Sequence, residues 1–361
     1  MRFYFNILTL ILFSCNLAYS QQNGQLFAAP GNTYIEYELA NGSNQDFSEV
    51  DDFITRTNGA QYASPAQLAV SLAGRFESEA GKIRAIYTWI ALNVAYDHQA
   101  LITGTGGSQA AEEVWQTRMA VCEGYANLFQ ELCSLAGIES RVVKGYVKTY
   151  GTEKMHYPNH AWNSVKVAGS WKLLDVTWAS MNNGIDILEE GLDEHEIARK
   201  KLDYFFLIEP QRMILTHLPE DPLWQLQGNE VSMEVFLQGN AGILLEVQKP
   251  QSSNFNFEAA IEQYEQLDSL DKHIALLERM VKTADEKANA YGLGIAYYYK
   301  AQSILKESTE NTKLSDGSIK NLARRYYQKA FDQLNVLQPN DFGYEFSRDL
   351  LENVAFKIEV L

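Results

Sequence analysis

VWQTRMAVCEGYANLFQELCSLAGIESRVVKGY, Val114 to Tyr146, decides how the rest of this chain is read. From Cys122 to Ala136 the residues Tyr125, Leu128, Phe129, Leu132 and Leu135 recur at the spacing that lays them on one broad face of a helix. Gly137 stands where such a helix stops, and Arg141 to Lys148 continues as an apolar strand. Cys122 falls at the start of the helix, where unpaired backbone N–H groups and the helix field favour a thiolate. Cys133 lies among Leu132, Leu135 and Ala136 and reads as a small core residue. One helix separates the two sulfurs by about 16 Å of rise, against the about 7 Å between Cα atoms that a disulfide tolerates. Both are expected to be free thiols.

The second informative stretch is NHAWNSVKVAGSWKLLDVTW, Asn159 to Trp178. His160 to Val167 and Trp171 to Trp178 read as a hairpin turning at Ala168-Gly169. With those two turn residues Val167 pairs with Ser170, Trp162 falls opposite Asp175, and His160 falls opposite Thr177. His160 and Asp175 are then diagonal neighbours on one face, with Cα atoms about 7–8 Å apart. A carboxylate can hold an imidazole across that gap, and the imidazole can take a proton from a thiol at the helix start. The pattern therefore predicts a Cys-His-Asp site of Cys122, His160 and Asp175. Of the six histidines, His156 precedes Pro158 in a looser segment and His98 reads as surface. With no HExxH and no paired CxxC, no metal and no cofactor are expected.

These two stretches resemble the transglutaminase-like superfamily. AVCEGYANLFQELCSLAGIESRVVKGY is similar to its nucleophile segment and HAWNSVKVAGSWKLLDVTW to its HAWN...G.W...D.TW segment, in the order Cys, His, Asp. RAIYTWIALNVAYD, Arg84 to Asp97, resembles the helix preceding the nucleophile in bacterial members. YFFLIEP and THLPEDPLWQL, up to Leu226, resemble the tail of the kyphoscoliosis-peptidase-like subgroup, so the similarity runs over about residues 65 to 226. The resemblance implies a papain-like α+β fold, with the nucleophile helix packed on a small antiparallel sheet. It also implies Cys122 as nucleophile, His160 as general base and Asp175 as orienting acid. Two glycines usual in the family are Ala120 and Ala179 here. Trp115 is expected in the core, and the backbone N–H of Cys122 is the expected oxyanion donor.

A chain of 361 residues with 46% hydrophobic and 21% charged residues can build two cores. Its net charge of -16 argues against nucleic acid, whose binding rests on neutralising phosphates, and against an anionic membrane surface. Residues 1–20 have Arg2, an apolar run from Phe3 to Phe13 and Ala18-Tyr19-Ser20, the pattern of a signal peptide too short to span a bilayer. Export to the periplasm or outside is expected, with lipid attachment at Cys15 as the alternative.

Residues 21–230 are expected to form the transglutaminase-like domain with an N-terminal extension in which Thr33 to Leu39 could be a strand. Ser64-Pro65 opens its first strong helix, and Ser78 and Gly81 lead into a second ending near Asn93. Leu101 to Gln109 reads as a loop. From 231 to 361 the pattern is mostly helical. NAYGLGIAYYYKAQSIL from Asn289 and NLARRYYQKAFDQLNVLQPND from Asn321 alternate small and large residues, and fit either a tetratricopeptide-like hairpin or a small helical bundle.

The expected function is thiol-dependent acyl transfer or hydrolysis on peptide or glutamine amide bonds, with cysteine-peptidase-like hydrolysis favoured. The partner would be a peptide or protein substrate, a cell-envelope peptide being one class that export allows. Two alternatives stay open: transglutaminase or deamidase activity, and a non-catalytic binding or scaffold protein with a vestigial triad that uses its C-terminal helices as a partner surface.

Overall fold

The computed structural model describes residues 45–56, 62–103, 107–148, 157–180, 193–250, 255–283, 287–310 and 316–361. The expected signal peptide, the site at Cys15 and the strand at Thr33 to Leu39 lie outside these residues. The chain forms two compact units, one ending at Pro219 and the other beginning at Glu220.

Among the described residues the first unit begins with the helices α1 (Ser48–Thr55), α2 (Pro65–Arg75) and α3 (Glu79–Asn93). Local chemistry sets their starts. The Ser64 hydroxyl accepts from the Gln67 N–H with Pro65 in the first turn, and Ser78 caps Gly81 in the same way. Helix α3 is buried nearly all round, including the guanidinium of Arg84. That charge is neutralised by Asp51 of α1, at 2.9 and 2.7 Å, and by Asp203 at 2.7 Å, and it also donates to the Leu202 carbonyl. A buried charge needs such full pairing, and this one ties α1 and the segment around Asp203 to α3.

β1 (Ala95–Tyr96) pairs in parallel with β2 (Met119–Ala120), and between them run α4 (His98–Thr103) and α5 (Ala111–Thr117). The segment expected to be a loop from Leu101 thus begins as the last turn of α4. β2 leads into α6 (Cys122–Leu135), which buries Tyr125, Leu128, Phe129 and Leu132. Gly137, at φ 74°, ends it in the left-handed conformation that glycine adopts without strain.

The sheet is four-stranded and antiparallel, in the order β5-β4-β3-β6. It contains β3 (Ser140–Val147), β4 (His160–Val167), β5 (Ser170–Leu174) and β6 (His217–Pro219). Helix α6 packs on β3 and β4. The β4-β5 hairpin turns at Ala168 and Gly169, both at positive φ, with Val167 opposite Ser170. The second strand is shorter than expected. It stops at Leu174, and Asp175 starts a four-residue helix, α7 (Val176–Ala179). After it come α8 (Glu194–Tyr204) and α9 (Pro210–Met213). The result is the expected α+β architecture, a small antiparallel sheet packed by helices.

The second unit is helical. A 3-10 turn (Pro222–Gln225) precedes α10 (Met233–Gln238), α11 (Asn240–Val247), α12 (Phe257–Glu265), α13 (Ser269–Thr283), α14 (Lys287–Glu310), α15 (Asp316–Leu334) and α16 (Tyr344–Val360). The small-large pattern has a packing reason. Ala296, Ala301 and Ala330 are buried in one cluster with Tyr297 and Tyr327, small side chains letting neighbouring helices close around the rings. Asp221 is held by both Nε and Nη2 of Arg279 at 2.6 Å, a bidentate pair. No helix among the described residues is long and apolar enough to cross a membrane.

Candidate functional site

Three secondary-structure junctions converge on one carboxylate. His160 is the first residue of β4, where it pairs with Gly145. That neighbour has to be glycine, because a Cβ there would lie 2.3 Å from the Leu218 carbonyl oxygen and 2.6 Å from the Trp162 ring. Asp175 closes β5 and caps α7, its Oδ1 accepting from the Trp178 N–H at 3.0 Å. Its own N–H donates to the Phe205 carbonyl, which turns the strand away from β4. His217 is the first residue of β6, opposite Val147.

The second carboxylate oxygen of Asp175, Oδ2, lies 2.7 Å from His160 Nε2 and 3.0 Å from His217 Nε2. His217 Nδ1 lies 2.7 Å from the Thr216 hydroxyl. With His217 neutral, Nε2–H donates to Asp175 and Nδ1 accepts from Thr216. Asp175 and His217 are fully buried, and His160 is 8% exposed. Aromatic rings close the surroundings. Trp178 lies 4.3 Å from His217 and 5.7 Å from His160, and Trp162 lies 5.0 and 6.0 Å from them, centroid to centroid.

The same carboxylate drives the two rings apart in proton affinity. For His160, burial disfavours the charged form, but the Asp175 carboxylate outweighs it by charge and hydrogen bond and lifts the ring to about 10. Behind Asp175 come a side-chain hydrogen bond with Cys122 and the charge of that thiol, which raise the ring further as smaller influences. For His217 burial wins, helped by the charge of His160, and the ring falls to about 4. Burial works against the charge of Asp175 as well, but the two histidines hold it well below the usual carboxylate range. Near neutral pH the cluster is thus one imidazolium, one carboxylate and one neutral imidazole.

This geometry corrects the expected Cys-His-Asp triad. The buried group that the structure assembles is His160, Asp175 and His217, and no cysteine is a member of it. The expectation of a thiol hydrolase or transferase built on Cys122, His160 and Asp175 is overturned with it, as is the cysteine-protease reading. The physical reason is that Asp175 does not serve His160 alone: one oxygen is shared by two imidazoles, and the other is spent on capping α7. Cys122 is the half-buried first residue of α6, and Cys133 is fully buried with its thiol pushed up by desolvation; neither forms a disulfide. Trp115 stacks on Trp89 at 5.6 Å with the Arg118 guanidinium over it, a core position.

His217 was absent from the sequence-based site. Its only signal is a histidine opening the apolar THLP run, and nothing local says that β6 will join β3 beside His160. Two imidazoles and a carboxylate are also a metal-ligand set, with ligand atoms within 4.8 Å of one another. At 2.7 and 3.0 Å the nitrogens and oxygen are in direct hydrogen-bond contact, so an ion would have to displace the protons that now join them.

The profile of the Transglutaminase-like superfamily matches residues 66–176. Kyphoscoliosis peptidase of Mus musculus is 29% identical over 177 residues, 47% of this chain and 25% of the mouse protein. Hillarin of Drosophila melanogaster is 27% identical over 203 residues, 53% of this chain and 24% of the fly protein. The chain therefore spans about a quarter of the length of these curated relatives. A crystal structure of a protein from Cytophaga hutchinsonii, assigned as a cysteine protease, is 25% identical and covers 45% of this chain and 50% of that chain, with a TM-score of 0.27. Residues 66–176 thus match the transglutaminase-like superfamily, and about half of the chain is similar at moderate identity to the kyphoscoliosis peptidases.

Proposed function

We propose that this chain is a non-catalytic binding or scaffold protein built on a transglutaminase-like core. The observation that carries this reading is the sharing of Asp175 Oδ2 between His160 and His217 in a buried cluster without a cysteine. A catalytic carboxylate orients one base toward a nucleophile. This one joins β4, β6 and α7 at a single point, which is structural work. A helical second unit with exposed aromatic side chains, Phe342 at 72% and Phe346 at 77%, supports a partner surface there.

The test is turnover. The full chain is incubated with casein-derived peptides, and separately with a glutamine peptide plus a fluorescent primary amine, beside a Cys122→Ala variant. The expected result is no hydrolysis, ammonia release or amine incorporation that depends on Cys122. Amide turnover present in the wild type and abolished in Cys122→Ala overturns the reading.

A further inference from the structure

One face of α6 meets no core. Asn127, Gln130, Glu131 and Ser134 follow one another at i, i+3, i+4 and i+7, opposite the buried stripe of Tyr125, Leu128, Phe129 and Leu132. Instead of a flat solvated surface they line a cavity of about 600 Å³, whose other walls are Ala111 of α5, the turn Gly137–Glu139, and Ser140 and Arg141 of β3. That volume lies in the range of small-ligand sites.

The lining is rich in acceptors. The amide of Asn127 donates to the Gln109 carbonyl and that of Gln130 to the Ser140 carbonyl, so both side chains are held while their own carbonyl oxygens make no hydrogen bond among the described residues. Glu131 forms no ion pair or hydrogen bond among the described residues, whereas Glu139 pairs with Lys166 at 3.2 Å. Arg141, the one cation of the lining, donates to the Ser140 carbonyl and lies over Trp171. The negative end of α6 adds to the field, because its last turn carries no basic residue. Oriented carbonyls, an unpaired carboxylate and a helix C-terminus together suit a donor-rich cation.

We propose that this cavity is a binding site for a lysine or arginine side chain of a partner polypeptide. It rests on the geometry of α6 and β3 alone and stands whether or not the histidine cluster is inert. Glu131 supplies the charge, and the Gln130 and Asn127 carbonyls accept N–H donors.

The test uses the full chain and a fluorescein-labelled peptide with a single central lysine among glycines and serines, titrated by anisotropy at low salt. Saturable binding is expected, lost when the lysine is Nε-acetylated, weakened about fivefold by Glu131→Gln as for a half-exposed pair, and abolished by Glu131→Lys. Glu49→Lys, on α1 and outside the cavity, should leave it within twofold. Circular dichroism melting reports whether each variant is folded. No saturable binding by the wild type, an unchanged Kd in folded Glu131→Lys, or an equal loss in Glu49→Lys overturns the proposal. Free lysine amide binding as tightly as the peptide overturns the polypeptide partner in favour of a small amine.

Discussion

Replacing His217 by glutamine should remove an acid-induced loss of stability without removing the contact that His217 makes. Glutamine keeps an N–H donor where Nε2 now faces Asp175 Oδ2 at 3.0 Å, and it does not titrate. In the unfolded chain the imidazole takes its proton near 6.5, and in the folded protein burial holds it to about 4. Between these values the unfolded state binds the extra proton and the folded state refuses it, so stability falls as pH falls through the window. About 2.5 pH units at about 1.4 kcal/mol each amounts to about 3 kcal/mol, most of it lost by about pH 4.5.

The other members of the cluster titrate outside this window. His160, lifted to about 10, is charged in both states below about 6.5, and its contribution is lost only as pH rises toward 10. Asp175, held low, keeps its contribution until pH falls below the ordinary carboxylate range. Urea unfolding followed by tryptophan fluorescence at pH 7 and pH 4.5 reads the difference. Of the six tryptophans only Trp224 belongs to the second unit, so the signal reports the first. Wild type should lose about 2–3 kcal/mol more than His217→Gln over that interval. Equal losses in the two proteins would refute the argument that burial of His217 sets the acid limit.

Three further outcomes follow from the same packing. Asp175→Ala leaves two buried imidazoles and the start of α7 without their acceptor and should destabilise the first unit by about 3–5 kcal/mol, measured by urea midpoint, with Asp175→Asn falling between it and wild type. Gly145→Ala drives a methyl into the Leu218 carbonyl and the Trp162 ring and should cost about 3 kcal/mol, with faster amide exchange along β6; an unchanged midpoint would contradict the described β3-β6 register. Cys133 is fully exposed only on unfolding, so native alkylation mapped by mass spectrometry should label Cys122 and leave Cys133 unmodified until denaturant is added.

Much of this protein is legible wherever the deciding information is local along the chain. The stripe of Tyr125, Leu128, Phe129 and Leu132 fixes α6, Gly137 ends it, and Ser64-Pro65 and Ser78 start α2 and α3, because periodicity and caps act within a few residues. The Ala168-Gly169 turn likewise set the β4-β5 register. What failed was the end of that hairpin. Asp175 satisfies its side chain by capping α7 and its N–H by reaching Phe205, a partner thirty residues on, so the strand stops before it reaches the position opposite Trp162. His217 illustrates the same limit more sharply. It lies 42 residues from Asp175 and 57 from His160, and only the docking of β6 against β3 brings it to the shared oxygen. Charge sharing in a buried cluster depends on which elements meet, and that is decided by tertiary packing, since a hydrogen bond senses distance in space and carries no trace of separation along the chain.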